Sequence, residues 1–368
     1  MRYCSNGPLN GPDGRGCWLK LKGLGMKKQL ERFRFLFRWE FFLLALLIFQ
    51  IFVFGTLNPR FLRPQVLFGS INDFLSICII SLFVTFVLIT GGIDIQAGSI
   101  VGLSSVMVGI LWQQAGMNIW LACFCAILAG MTCGLFSGFL VAYAKVQAMV
   151  VTLGGSFFYA GVAVTLTRIA RVEAYRGITG FPQSFTGFSS LRIHGIPFQF
   201  IIFLVLVLIS FILLHRTKYG RYVYLCGINQ NAAEYSGINS RLIIMSTYML
   251  TGMSAALAGV ILTSYLGTAK ADFGRELTLP IITAVVLGGT AISGGRGTVI
   301  GTALAALVIG VMRFGLSMVG VFSQYQDIPI GILLVIAVGI RGLASGFSLS
   351  ALFNRRSQFP VVNRIKNQ

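Results

Sequence analysis

Charge is scarce in this sequence. Asp, Glu, Lys and Arg make up only 11% of 368 residues, and ten residues in all are acidic. A water-soluble domain carries about 25% charged residues, because its surface must face water. The shortage excludes a large solvated surface and leaves lipid as the natural surrounding. Histidine is rarer still: His194 and His215 are the two present, far apart, so no metal constellation is visible. Of the seven cysteines, Cys78, Cys123, Cys125, Cys133 and Cys226 lie in or beside apolar stretches. Cys123 and Cys125 fall on different faces of a helix, which suits small buried hydrophobes better than a metal pair. Catalytic signatures are missing as well. There is no G-x-x-x-x-G-K-[ST] phosphate loop, no H-E-x-x-H and no G-x-S-x-G. The expectation is therefore no catalytic residue, no metal, no cofactor, and no ATP hydrolysis by the chain itself.

Apolar residues fill the space that charge leaves. The hydrophobic fraction is 56% and the mean hydropathy +0.83. A spanning helix needs about 20 apolar residues. Ten candidate runs can be marked: 41–57, 74–90, 98–112, 119–143, 150–166, 198–214, 242–266, 279–291, 299–319 and 328–340. The fold class expected is an all-α membrane protein of about ten transmembrane helices, some short or broken at glycine pairs. Residues 1–40 form a cytoplasmic N-terminal segment, 41–342 the transmembrane domain, and 343–368 a basic cytoplasmic tail. Residues 1–25 have no apolar core and are no signal peptide. Met26 precedes the basic stretch Lys27, Lys28, Arg32, Arg34 and Arg38, so it reads as the natural start, with 1–25 an extension; a disordered tail is the alternative.

The net charge of +19 is concentrated in the N-terminal segment, one central loop and the tail. That is the positive-inside pattern, not a nucleic-acid footprint. It places both ends in the cytoplasm. The loop 215–241, with Arg216, Lys218, Arg221 and Arg241 against Glu234, falls on the same side. The loop after the seventh run, with Lys270, Asp272, Arg275 and Glu276, is neutral and falls outside. The stretch 167–197 runs against the trend, because Arg168, Arg171, Arg176 and Arg192 would lie outside.

Glycine pairs punctuate the runs. Gly91-Gly92 and Gly288-Gly289 adjoin short runs, and Gly154-Gly155 lies inside the fifth. Irregular backbone at membrane depth survives where it is buried in protein or lines a cavity, and paired interruptions point to a translocation path. The same glycines equally suit close helix contact. Gly130, Gly134 and Gly138 share one face of the fourth run, and Gly297 and Gly301 repeat the spacing; such ridges let backbones approach in lipid. Asp94 is the only acid between Asp73 and Glu173. It either serves function at membrane depth or caps the third run. Arg313, inside the ninth run, snorkels, pairs with an acid or lines a polar cavity.

The stretch Gly227-Ile228-Asn229-Gln230-Asn231-Ala232-Ala233-Glu234-Tyr235-Ser236-Gly237-Ile238 has the marks of a short helix. Asn229 or Asn231 would cap it, Glu234 would stand in its first turn, and Gly237 would end it. Such a helix is either an ordinary loop helix or a grip for a motor protein.

Three stretches together resemble the ribose-type, or monosaccharide-type, permeases of bacterial ABC importers. They are Gly91-Gly92-Ile93-Asp94-Ile95 with Gly98-Ser99; Gly227 and Asn229 with Ala232-Ala233 and Ser236-Gly237-Ile238; and Val286-Leu287-Gly288-Gly289 with Gly294-Gly295, Gly297 and Gly301. Two more stretches resemble one branch of that family, which imports a furanosyl quorum-sensing signal: Gly180-Phe181-Pro182 with Phe185, Thr186 and Phe188, and Ser264-Tyr265 with Gly267, Ala269, Asp272 and Gly274. The resemblance implies a channel-forming permease of the bacterial inner membrane. Its partners would be a paired ATP-binding subunit, a second permease and a periplasmic solute-binding protein. It implies that Asn229, Asn231, Ala232, Ala233, Glu234, Ser236 and Gly237 couple the chain to the ATPase. A pentose permease would share most of these motifs. An ion-coupled secondary transporter is the more distant alternative, with Asp94 and Arg313 as thin material for an ion site.

Overall fold

The computed structural model describes residues 39–171, 177–193 and 195–344. Expectations on residues 1–38, on the tail from 345, and on Arg176 and His194 lie outside the described residues. The described chain is helical. In order run α1 (Trp39–Leu57), α2 (Pro64–Ile89), α3 (Ala97–Gln113), α4 (Ile119–Ala142) and α5 (Ala148–Ile169). Then come β1 (Ile178–Thr179), α6 (Gln183–Ser190), β2 (Arg192–Ile193), β3 (Ile196–Pro197) and α7 (Phe198–His215). After these follow α8 (Lys218–Ile228), α9 (Gln230–Tyr235), α10 (Ser240–Leu266), β4 (Thr268–Ala269), α11 (Thr278–Leu287), α12 (Val299–Met318) and α13 (Ser323–Ala344). The strands are two-residue bridges: β1 pairs antiparallel with β4, and β2 with β3.

Seven of these helices are long and apolar enough to cross a membrane: α1, α2, α4, α5, α7, α10 and α12. Two shorter apolar helices, α3 and α11, accompany them. Burial sorts the bundle into a centre and a shell. In α2, 89% of the apolar window is buried, against 17% in α5 and 22% in α1 and α7. A helix apolar on every face needs surroundings apolar on every face; α2 finds them in protein. The shell helices instead present Phe52, Phe124, Phe136, Phe157, Phe158 and Leu208 outward, as lipid requires.

Small residues set the central spacing. Gly130, Gly134 and Gly138 of α4 all face α10. A Cβ on Gly138 would come within 2.8 Å of the Met245 carbonyl oxygen, and one on Gly134 would collide with the carbonyl of Tyr248. Gly252 of α10 answers from the other side, where a Cβ would reach 2.9 Å from Gly134 Cα. With little hydrophobic drive between helices in lipid, such backbone contact supplies the packing energy.

The structure corrects three sequence expectations. The tenth run does not begin at 328 but at Ser323, because Gln326 and Asp327 find partners there: Gln326 donates to the Val321 carbonyl at 3.1 Å, and Asp327 pairs with Arg313 at 2.5 Å. Gly154-Gly155 does not interrupt its run, since α5 passes through both. The second run does not begin at 74 but at Pro64, whose fixed φ suits the first helical position and opens α2 ten residues earlier. The segment after α10 is packed against protein. It turns back along α3, so that Gly102 leaves no room for a Cβ beside the Ala271 carbonyl, nor Gly98 beside that of Gly274.

Gly252→Val should separate α4 from α10. The expected cost is about 1–3 kcal/mol, read as a lower melting temperature of the detergent-extracted protein. An unchanged melting temperature would show that this seam does not set the packing.

Candidate functional site

The turn between α2 and α3 is non-helical, with Gly92, Asp94 and Gln96 buried and Gly91 exposed. Gly91 adopts φ +83°, a conformation suited to a residue without a Cβ. Asp94 is 1% exposed, and its Oδ1 accepts a hydrogen bond from the Gln96 amide at 3.1 Å, just ahead of α3. The neighbouring carbonyls are tied to other helices. Thr152 of α5 donates to Ile93 at 3.1 Å, and Thr278 of α11 donates to Ile95 at 3.4 Å. Gln96 Oε1 accepts from Ser137 of α4 at 2.7 Å, and Tyr159 of α5 donates to the Cys133 carbonyl at 3.0 Å. Three helices, α4, α5 and α11, therefore hold this one break in place.

A second break, 288–298, lies between α11 and α12. Gly288 presses on α12, where a Cβ would sit 2.5 Å from Thr302 Cα, and Gly301 leaves no space beside the Gly288 carbonyl. Gly289, Gly294 and Gly295 all take positive φ. The Gly295 amide donates to the Ile89 carbonyl at 2.8 Å, at the end of α2. Gly297 is fixed from α8, since Tyr224 donates to its carbonyl at 2.7 Å.

Gly227 joins the two breaks. A Cβ there would collide with the Ile89 carbonyl oxygen and stand 2.7 Å from the Gly295 amide nitrogen. A Cβ on Gly294 would in turn come within 3.0 Å of Gly91 N and of the Gly227 carbonyl oxygen. Three glycine stretches far apart in sequence meet at one end of the bundle, where α8 crosses the end of α2.

The segment 229–238 continues from that crossing. Asn229 caps α9 by accepting from the Ala232 amide at 3.0 Å. Glu234 is not in the first turn of α9, as the sequence reading had it, but near its end. There it accepts hydrogen bonds from Ser240, the first residue of α10, and from Gln230 at 3.5 Å. The Ser240 hydrogen bond holds the Glu234 carboxyl below its ordinary range. Ser236 donates to the Ala232 carbonyl at 2.9 Å, and Gly237 at φ +80° turns the chain towards α10. Ala233 is 4% exposed and anchors α9 inward, while Asn231, Ala232 and Glu234 face out.

The sequence reading missed three groups here. Tyr235 stands 93% exposed on α9 beside the residues that were singled out. A large side chain held out by a capped helix is its signal. Lys145, in the α4–α5 turn, acts electrostatically on Glu234, and Arg241 does so while lying 6.0 Å over the Tyr143 ring. That turn therefore shares the α9 face. Tyr248 of α10 is fully buried against Gly92. Arg313, by contrast, is not brought to this junction; it pairs with Asp327 of α13. Among the described residues no group of three His, Cys, Asp or Glu could hold a metal ion.

Such a helical core with glycine-broken segments and an exposed, capped loop helix is the architecture of a membrane permease. Residues 66–338 match the family model described as branched-chain amino acid transport system / permease component, and the chain belongs to that family. It is similar to the autoinducer 2 import system permease protein LsrD of Klebsiella pneumoniae, 42% identical over 306 residues, covering 83% of this chain and 92% of that one. The protein of the same name from Salmonella typhimurium is 43% identical over 302 residues, covering 82% and 91%. That from Escherichia coli is 42% identical over 305 residues, covering 83% and 92%. No solved structure matches. The relatives are transport permeases, not enzymes.

Asp94→Ala removes the acceptor ahead of α3. The expected loss is about 1 kcal/mol of stability, with reduced uptake or assembly. Asp94→Asn keeps an acceptor oxygen and should melt near the parent. Equal melting temperatures for the alanine variant and the parent would remove Asp94 from the local structure.

Proposed function

We propose that this chain is the channel-forming permease subunit of an ABC importer and moves autoinducer 2, a small sugar-like solute, across the bacterial inner membrane. The carrying observation is the meeting of 91–94, 227–238 and 288–297 at one end of the bundle. The similarity to the autoinducer 2 permeases named above supports the choice of solute. In this reading ten helices cross the membrane, α3, α11 and α13 among them, and both chain ends are cytoplasmic. The other members of the complex are a dimer of ATP-binding subunits, a second permease and a periplasmic solute-binding protein, all within membrane lipid and with no nucleic acid.

The chain's part is conformational. A loaded binding protein docks outside, and nucleotide binding and hydrolysis in the partner move α9. Force enters through Asn229, Asn231, Ala232, Ala233, Glu234, Ser236 and Gly237, with Tyr235 as the protruding contact. α9 is capped at one end and tied by Glu234 to Ser240 at the other, so it moves as a unit with the start of α10. Motion of α8 and α10 then reaches Gly91, Gly92, Asp94, Gly288 and Gly289, whose breaks repack to open the path to one side at a time.

Co-purification should bring an ATP-binding subunit and a second permease with this chain. In vesicles holding the complex, autoinducer 2 should compete with its own labelled form far better than ribose does; the reverse order would favour a pentose permease. Ala233→Leu fills a site 4% exposed. Gly237→Leu strains a backbone at φ +80°, at a cost of about 1–3 kcal/mol. Both variants should insert and assemble but import little solute per ATP hydrolysed. Import at the parent rate would defeat the coupling role of α9.

A further inference from the structure

Tyr248 carries a buried phenol hydroxyl that has no hydrogen-bond partner. Two other orphaned groups lie around the same break. They are Oδ2 of Asp94 and Nε2 of Gln96, on side chains 1% and 0% exposed. The phenol oxygen lies against Gly92, where no Cβ could be accommodated, and Asp94 is near enough for its charge to be felt at Tyr248. A hydroxyl packed on Gly92 and the carboxylate oxygen of Asp94, two residues further along the same turn, are thus both left unpaired, in surroundings where an unmade hydrogen bond is costly.

The position of Tyr248 gives this a direction. It lies eight residues on from Ser240, about two turns along one continuous helix. Ser240 is bonded to Glu234 of α9. Gly134 and Gly138 of α4 grip the Tyr248 backbone and Cβ, and the side chain is fully buried, so the phenol travels with the helix. Displacement of α9 therefore moves the phenol against the 91–96 turn.

We propose that Tyr248 is the positioning residue through which the coupling segment acts on the Asp94 break. Its hydroxyl donates to Asp94 Oδ2 in one access state and is released from it in the state described here. This rests on the proposed permease function. The hydrogen bond exists in only one of two states, so its making and breaking biases which side of the path is open.

The test uses the full complex with its ATPase and binding protein in liposomes. Tyr248→Phe removes the hydroxyl alone. In this state the hydroxyl has no partner, so the melting temperature should stay level or rise. Solute imported per ATP should fall about tenfold, the worth of one hydrogen bond to a charged group. Asp94→Asn should lose a similar factor, and the double variant should lose no more than either single one. Full import by Tyr248→Phe, a lowered melting temperature, or losses that multiply in the double variant would each overturn the proposal. If the parent complex itself imports none of the solute, the permease reading fails instead.

Discussion

An unpaired backbone amide or carbonyl in hydrocarbon costs about 2–7 kcal/mol, and the arrangement of this molecule follows from that cost. Its shell helices satisfy their own backbones and present apolar side chains outward. The interrupted segments cannot do so, and each is tied to neighbouring protein by hydrogen bonds or close backbone contact. The turn after α2 is held by threonines of α5 and α11, and the turn after α11 by an amide-to-carbonyl bond to the end of α2. The segment after α10 lies against α3. Broken backbone is tolerated here because protein surrounds it.

The same constraint couples the breaks to one another. A turn bonded through two carbonyls and the Gln96 side chain to three neighbouring helices cannot move alone. Glycine contacts at 227 and 294 bring backbone directly onto backbone, with no flexible side chain between them to absorb a displacement. Close-packed interfaces of this kind tend to have discrete arrangements and not a continuous range. The segment that carries α9 is therefore mechanically continuous with the two glycine-rich turns, as the proposed alternating access requires.

Much of this was legible in the sequence. Scarce charge and long apolar runs indicate a helical membrane protein, and most helix ends from 41 to 319 fall within a few residues of the marked runs; the start of α2 is the exception, at Pro64 and not at 74. The three glycine stretches are visible as motifs, but their meeting point is not, because helix packing decides it. The Gly154-Gly155 pair shows why composition misleads. Glycine permits a break without requiring one, and the apolar residues on both sides carry the helix through. The balanced charges of the 267–277 segment indicate an outer loop, while its contact with α3 depends on Gly98 and Gly102, far earlier in the sequence and brought against it only by packing. Tyr235 and Tyr248 look alike as letters in apolar or polar surroundings. One is exposed and the other wholly buried, and tertiary packing alone tells them apart.

The account depends on the 229–238 segment facing the cytoplasm, where a nucleotide-driven subunit can grip it. The direct measurement is site-directed labelling of Tyr235→Cys, in a chain freed of its native cysteines, with a thiol reagent that does not cross the membrane. Labelling in inverted vesicles, blocked when the ATP-binding subunit is bound, is the predicted result. Labelling from the outside of intact spheroplasts would contradict it.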